Sequence, residues 1–262
     1  MERIKEIQQF LKSKGFKKKS IDSYVFVINK IINSIGQNFD EEELENQFTK
    51  LNLKPRTYNQ YRTIMNFYTK KYLGYEVLFT KSKVDKTLPT YVGIEEFKKV
   101  LLTIPNVKHR LGFVLMYGSG LRVEEVCKLK KHNIYFNDLT ILVKGKGGKD
   151  RLTILRSKTA RVLESFAMKT KKDNPYLFQT YRKHISERSF QERLKKAIID
   201  SKITKYFTPH DLRHSFAVNL VNKGVDIEAV RRLLGHSSLR TTQIYQQCRV
   251  IDLKELAIHL ER

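Results

Sequence analysis

The sequence predicts a mainly α-helical protein with a small antiparallel β-sheet, arranged as two domains. Three observations carry this reading. Apolar residues recur at helical spacing through most of the 262 residues. Two runs of strand composition, Leu139–Val143 and Arg151–Leu155, flank a turn rich in glycine and lysine. A polar, proline-terminated stretch from Lys81 to Pro89 reads as a linker between a helical segment, residues 1–80, and a larger α+β segment, residues 90–262.

In the first segment, Ile4, Ile7, Phe10 and Leu11 share one helical face, and Gly15 ends that helix. Ser20 is the expected cap of a second helix carrying Ile21, Tyr24, Val25, Ile28, Ile31, Ile32 and Ile35. A short acidic-capped helix is expected around Glu41–Phe48. Pro55 suits the first position of a fourth, with Tyr58, Tyr61, Met65, Tyr68 and Tyr72 along one side. Tyrosines at that spacing are read as core, with their hydroxyls at its rim. Lys17, Lys18 and Lys19 fit either a solvated loop or phosphate contacts.

In the second segment, Ile94, Phe97, Val100 and Leu101 mark a helix, and Leu111–Met116 continue another to Gly118. Arg122 opens the next helix after a Gly-Ser-Gly turn. A helix N-terminus favours anions, and a guanidinium there adds positive charge. The two strands follow, joined through Lys144, Gly145, Lys146, Gly147, Gly148, Lys149 and Asp150; the glycines permit a tight turn. Helices are expected near Lys158–Met168 and Ser189–Asp200. Thr208, Pro209 and Asp211 then have the pattern of a capped helix start, and Gly224 of a stop. Asp226 caps a helix with Ile227, Val230, Leu233 and Leu234 on its buried side, ending at Gly235. Ser237 or Ser238 opens one more helix, which carries Tyr245. Leu253, Leu256, Ala257 and Leu260 form a final apolar face.

Charge narrows the partner. The chain has 51 Lys+Arg against 27 Asp+Glu, a net +24. Both segments contribute: 17 basic against 10 acidic side chains through residue 87, and 34 against 17 beyond it. Such a surface suits a polyanion, nucleic acid first. With two cysteines, Cys127 and Cys248, a disulfide framework is not expected, and no Cys/His spacing suits zinc. The N-terminus is amphipathic and lacks the pattern of a secretory signal. No apolar run approaches the roughly 20 residues needed to span a bilayer. The expected location is cytoplasmic.

The stretch from Thr208 to Tyr245 brings a His-x-x-Arg pair (His210, Arg213), a Leu-Gly-His turn (His236) and a phenol (Tyr245) onto short, tightly stopped helices. Those groups suit attack on a phosphodiester. A guanidinium grips two phosphate oxygens. Imidazoles donate to the phosphate or move protons near neutral pH. A phenol among cations becomes a usable nucleophile. His214, beside the motif, reads as structural.

This pattern resembles the tyrosine recombinase (phage integrase) family. Two upstream motifs extend the likeness: Tyr117–Glu125, which resembles the family's first-arginine motif, and Val143–Arg151, which resembles its lysine hairpin. The resemblance implies an N-terminal core-binding (SAM-like) domain and an α+β catalytic domain, together clamping duplex DNA. By position in the motifs it implies Arg122, Lys146, His210, Arg213, His236 and Tyr245 as catalytic residues, with Tyr245 the nucleophile. Lys144 and Lys149 are rivals to Lys146. Glu125 matches an acidic position that supports the site. The implied reaction is a transesterification through a 3′-phosphotyrosyl bond, with no metal and no other cofactor. Arg122 and Arg213 hold the nonbridging oxygens, and His210 and His236 donate to the phosphate. Lys146 protonates the 5′ oxygen, and His210 can serve as base to the phenol. The implied assembly is a homotetramer on two specific double-stranded DNA sites, with the tail packed in its own domain or exchanged with a neighbour.

The compact length leaves no room for an arm-binding domain and is similar to Xer-type recombinases or small integrases of mobile elements. Two other readings compete. A type IB topoisomerase shares the covalent chemistry but relaxes one duplex as a monomer. A non-catalytic architectural protein needs the charge but not the six residues.

Overall fold

The computed structural model describes residues 2–36, 39–77, 80–84, 89–145, 150–181, 183–236, 238, 242–243 and 245. The chain divides into two compact units, Met1–Lys86 and Thr87–Arg262. No helix among the described residues is long and apolar enough to cross a membrane.

The first unit is helical: α1 (Glu2–Ser13), α2 (Lys18–Ile35), α3 (Glu41–Lys50) and α4 (Pro55–Tyr68), the last continuing through a turn of π-helix, Thr69–Leu73. α2 begins before Ser20, the expected cap. The Ser20 N–H already donates to the Lys17 carbonyl at 2.8 Å, so helical bonding starts from Lys17. Asp40 caps α3, accepting from the Glu43 N–H, while the Glu43 carboxylate accepts from Asp40 N–H. The tyrosine side of α4 is core: Tyr61 and Tyr68 are buried, and Tyr72 stacks on Tyr68 with ring centroids 5.3 Å apart. The Tyr68 hydroxyl accepts from Arg3 Nη2 at 2.8 Å. The stripe therefore stabilises the helical unit; each such side chain contributes about 1.5–3 kcal/mol on burial.

The second unit contains α5 (Ile94–Leu102), α6 (Val107–Ser119), α7 (Val123–Cys127), β1 (Ile134–Tyr135), β2 (Thr140–Val143), β3 (Arg151–Ile154), α8 (Ser157–Met168), α9 (Glu187–Asp200), α10 (Pro209–Asn222) and α11 (Ile227–Leu234). The sheet is antiparallel in the order β1-β2-β3. β1 was not expected; two residues are too short to display alternation. α9 starts at Glu187, ahead of the expected Ser189, because Ser186 caps it by accepting from the Ser189 N–H.

α6 and α10 pack side by side and are apolar around most of their circumference, so they form the middle of the unit. Gly120 lets them meet. Its φ is +67°, and a Cβ there would lie 2.4 Å from a ring carbon of Phe216 on α10. The hairpin is fastened to the end of α6, where the Thr153 hydroxyl donates to the Ser119 carbonyl at 2.7 Å. Asp226 caps α11 as expected, accepting from the Glu228 and Ala229 N–H groups. Thr242, Gln243 and Tyr245 are helical. Ser237, and the apolar face of Leu253, Leu256, Ala257 and Leu260, lie outside the described residues.

Candidate active site

Arg122 is the N-cap residue of α7, at the end of the turn that Gly120 makes possible. Glu125, three residues on, faces back across the helix start. Its carboxylate accepts the Arg122 N–H at 2.7 Å and Arg122 Nη1 at 2.8 Å. It also accepts Arg151 Nη1 at 2.8 Å and Nη2 at 2.7 Å, and lies 3.6 Å from Arg213 Nη1. Three guanidiniums thus surround one largely buried carboxylate. Burial pushes Glu125 up, but the hydrogen bonds and charge of Arg151, the Arg122 N–H and the Arg213 charge outweigh it and hold the group at about 2. Arg122 keeps 38% of its side chain exposed.

Arg213 lies on α10 with 4% of its side chain exposed. It donates to the Gly120 carbonyl through Nη1 and to the Leu234 carbonyl through Nη2. These bonds tie α10 to the turn before α7 and to the end of α11. Burial lowers Arg213 to about 9, with the Arg122 charge acting in the same direction and Glu125 opposing. The group remains cationic at neutral pH.

His236 follows the left-handed Gly235 that ends α11, and its carbonyl accepts from Arg231 Nη1 at 2.7 Å. Its Nδ1 lies 3.0 Å from the Thr242 hydroxyl. Burial, then the charges of Arg213 and Arg122, lower it to about 4, so it is neutral at pH 7. His210 is exposed on the first turn of α10, one turn before Arg213 and His214.

Tyr245 is 1% exposed, packed with Phe216, Val218, Val230 and Leu234. Its hydroxyl lies 2.7 Å from His214 Nδ1, and its ring stacks on His236 with centroids 6.3 Å apart. Burial lowers His214, with the nearby Asp211 charge opposing. Of the expected residues, Arg122, Glu125, Arg213, His236 and Tyr245 therefore converge, and His210 lies one helical turn away. Lys146 and its rival Lys149 lie outside the described residues. Lys144 pairs with Asp150 at 2.6 Å, closing the hairpin base where Val143 faces Arg151.

Two contacts are not legible in the sequence. His214, which the sequence marks as structural, meets the phenol. Arg151, the last residue of the hairpin motif, meets Glu125. For Arg151 the sequence signals only that some partner is needed: it is in phase with Thr153 and Leu155, the core-facing side of β3, where a charged side chain needs a buried partner.

Residues 94–250 match the model of the phage integrase family. Tyrosine recombinase XerA of Pyrococcus horikoshii is 31% identical over 264 residues, covering 96% of this chain and 91% of that protein. The XerA of Pyrococcus furiosus is 32% identical over 268 residues, with the same coverage of 96% and 91%. The crystal structure of XerH site-specific recombinase bound to palindromic difH substrate, in a post-cleavage complex, has the same fold: TM-score 0.77, 23% identity, 99% of this chain and 85% of that one. Matched along most of its length, with arginines, imidazoles and a phenol gathered in one place, the chain belongs to the phage integrase family, the tyrosine recombinases.

Proposed function

We propose that this tyrosine recombinase cuts and rejoins double-stranded DNA at a specific site, with Tyr245 as nucleophile and Arg122, Arg213, His210, His236 and Lys146 around the scissile phosphate. One observation carries the reading: the Tyr245 ring stacks on His236, and its hydroxyl meets an imidazole of the helix that presents Arg213. Tyr245 Oη attacks phosphorus, the bond to the 5′ oxygen breaks, and Lys146 supplies the proton that the 5′ oxygen takes. Arg122 and Arg213 stabilise charge on the nonbridging oxygens. A 5′ hydroxyl from another strand then attacks the phosphotyrosine and restores the phenol. One ester replaces another, so the step needs no nucleotide hydrolysis, and cleavage is expected to persist in EDTA.

His236 is neutral, so only one ring nitrogen carries hydrogen. It donates to phosphate through Nε2 when Nδ1 accepts from the Thr242 hydroxyl. Thr242 thereby selects the useful tautomer. The phenol's proton has an acceptor at hand in His214; His210, exposed one turn earlier, is the group free to approach the phosphate.

The phenol is almost solvent-inaccessible, so Tyr245 must shift before Oη reaches a phosphorus. Two duplexes each cut on both strands require four nucleophiles, which fits a homotetramer on two sites in the cytoplasm.

The test is incubation with nicked suicide DNA. The wild type forms a covalent adduct and Tyr245→Phe forms none; undiminished adduct in that variant removes Tyr245 as nucleophile. Exchange between two labelled duplexes separates recombination from topoisomerase-like relaxation.

A further inference from the structure

We infer that Arg151 is a positioning residue of the recombinase site: it saturates Glu125, leaving Arg122 and Arg213 with donors for the phosphate, and clamps the lysine hairpin to the turn that carries His236. The inference rests on the proposed roles of those residues.

Every nitrogen of the Arg151 guanidinium is spent within the protein. Nη1 and Nη2 form a paired contact with the two Glu125 oxygens, at 2.8 and 2.7 Å. Nε donates to the Leu233 carbonyl at 2.8 Å. The side chain is 7% exposed, so it does not offer a donor to DNA. The fit is close on its other side too. Gly235 has φ +64°, and a Cβ there would lie 2.6 Å from Arg151 Cδ. Arg151 therefore touches three things at once: the carboxylate behind Arg122, the last turn of α11, and the glycine before His236. As the first residue of β3, it pairs with Val143 at the base of the hairpin.

Charge supplies the second reason. Without Arg151, the Glu125 carboxylate has unfilled acceptor sites beside two remaining guanidiniums. Arg213 Nη1 is only 3.6 Å away. The buried carboxylate then draws Arg213 toward itself and away from a phosphate, and binds Arg122 more tightly. Arg151 limits this by pairing with both oxygens. Lysine cannot replace it, since an ammonium lacks the planar fork.

The experiment measures single-turnover cleavage of suicide DNA at saturating protein for wild type, Arg151→Lys, Arg151→Met, Glu125→Gln and the Arg151→Met/Glu125→Gln double variant, with Tyr245→Phe as control. For both Arg151 variants the cleavage rate constant is expected to fall on the order of 100-fold. The reactive fraction and the DNA affinity should stay within about 3-fold of wild type, on the same geometric reasoning. The double variant should be no slower than Arg151→Met, because both changes act through one contact. If Arg151 only holds the fold, the reactive fraction and melting temperature fall while the surviving molecules cleave at the wild-type rate constant, and the inference is overturned. Effects that multiply in the double variant overturn it too, since Arg151 then acts without Glu125. Should Arg151→Met not fold, Arg151→Lys and the charge-balanced double variant carry the same decision. Adduct persisting in Tyr245→Phe counts against the proposed nucleophile instead, so the two failures are distinguishable.

Discussion

The guanidinium end and the phenol end of the site are built differently. Arg122, Arg151 and Arg213 are held around Glu125 by seven hydrogen bonds to that carboxylate or to main-chain carbonyls, on α7, β3 and α10. Tyr245 meets the His214 imidazole through its hydroxyl, which is out of solvent, and packs its ring against His236 and apolar side chains. The difference suits the proposed tasks. A phosphate-binding cluster works best when its donors are fixed before the substrate arrives. The proposed nucleophile forms and breaks a covalent bond with DNA and has to travel, which ring packing against neighbours permits.

The largest expected effect comes from breaking the fixed end. In Arg213→Lys one ammonium replaces a fork that reaches two carbonyls and is proposed to hold the phosphate. Cleavage of suicide DNA should slow on the order of 100-fold, as for loss of a transition-state donor. A loss under about 3-fold would mean that charge alone suffices there and that the fork geometry is idle.

A smaller effect should follow from loosening the other end. His214→Phe removes the hydrogen-bond partner of the phenol but keeps a ring. Losing one such bond is worth about 1 kcal/mol, so Tyr245 should be nitrated by tetranitromethane about 5-fold faster than in wild type. Unchanged nitration would show that packing, not the imidazole, retains the phenol.

The gentlest probe is acid. His236 ionises at about 4 in the folded chain against an ordinary 6.5, because burial and nearby cations oppose its charge. A lowered folded value means that the unfolded chain binds the proton more readily. Stability is therefore full above about 6.5 and falls as pH drops toward about 4. Glu125, held at about 2, contributes stability that is lost only below its ordinary 4.5. Melting temperature followed against pH should show the imidazole step first and the carboxylate step after it. His236→Gln should shrink the first step, to which the lowered His214 and His109 also contribute, and spare the second. A single step unaffected by that substitution would sink the assignment.

Much of the local structure was legible in advance. Caps at Asp226 and stops at Gly224 and Gly235 are short-range chemistry, written in neighbouring residues. The tyrosine side of α4 was readable as core for the same reason, since helical spacing alone puts those rings on one face. Ser20 misled because a cap-forming residue does not compel a cap; the chain turned helical three residues earlier. β1 escaped notice because its two residues pair only once β2 is beside them.

By itself the sequence determined the helices, the hairpin and which side chains could do phosphoryl chemistry, because these depend on residue type and spacing along the chain. Only the tertiary structure decided that Glu125 belongs to Arg151 as much as to Arg122, and that the phenol rests against His214. Those contacts join residues 26 and 31 positions apart. The partner of a buried charge or hydroxyl is whichever group the packing of α7, β3 and α10 brings within reach, and spacing along a chain does not encode that.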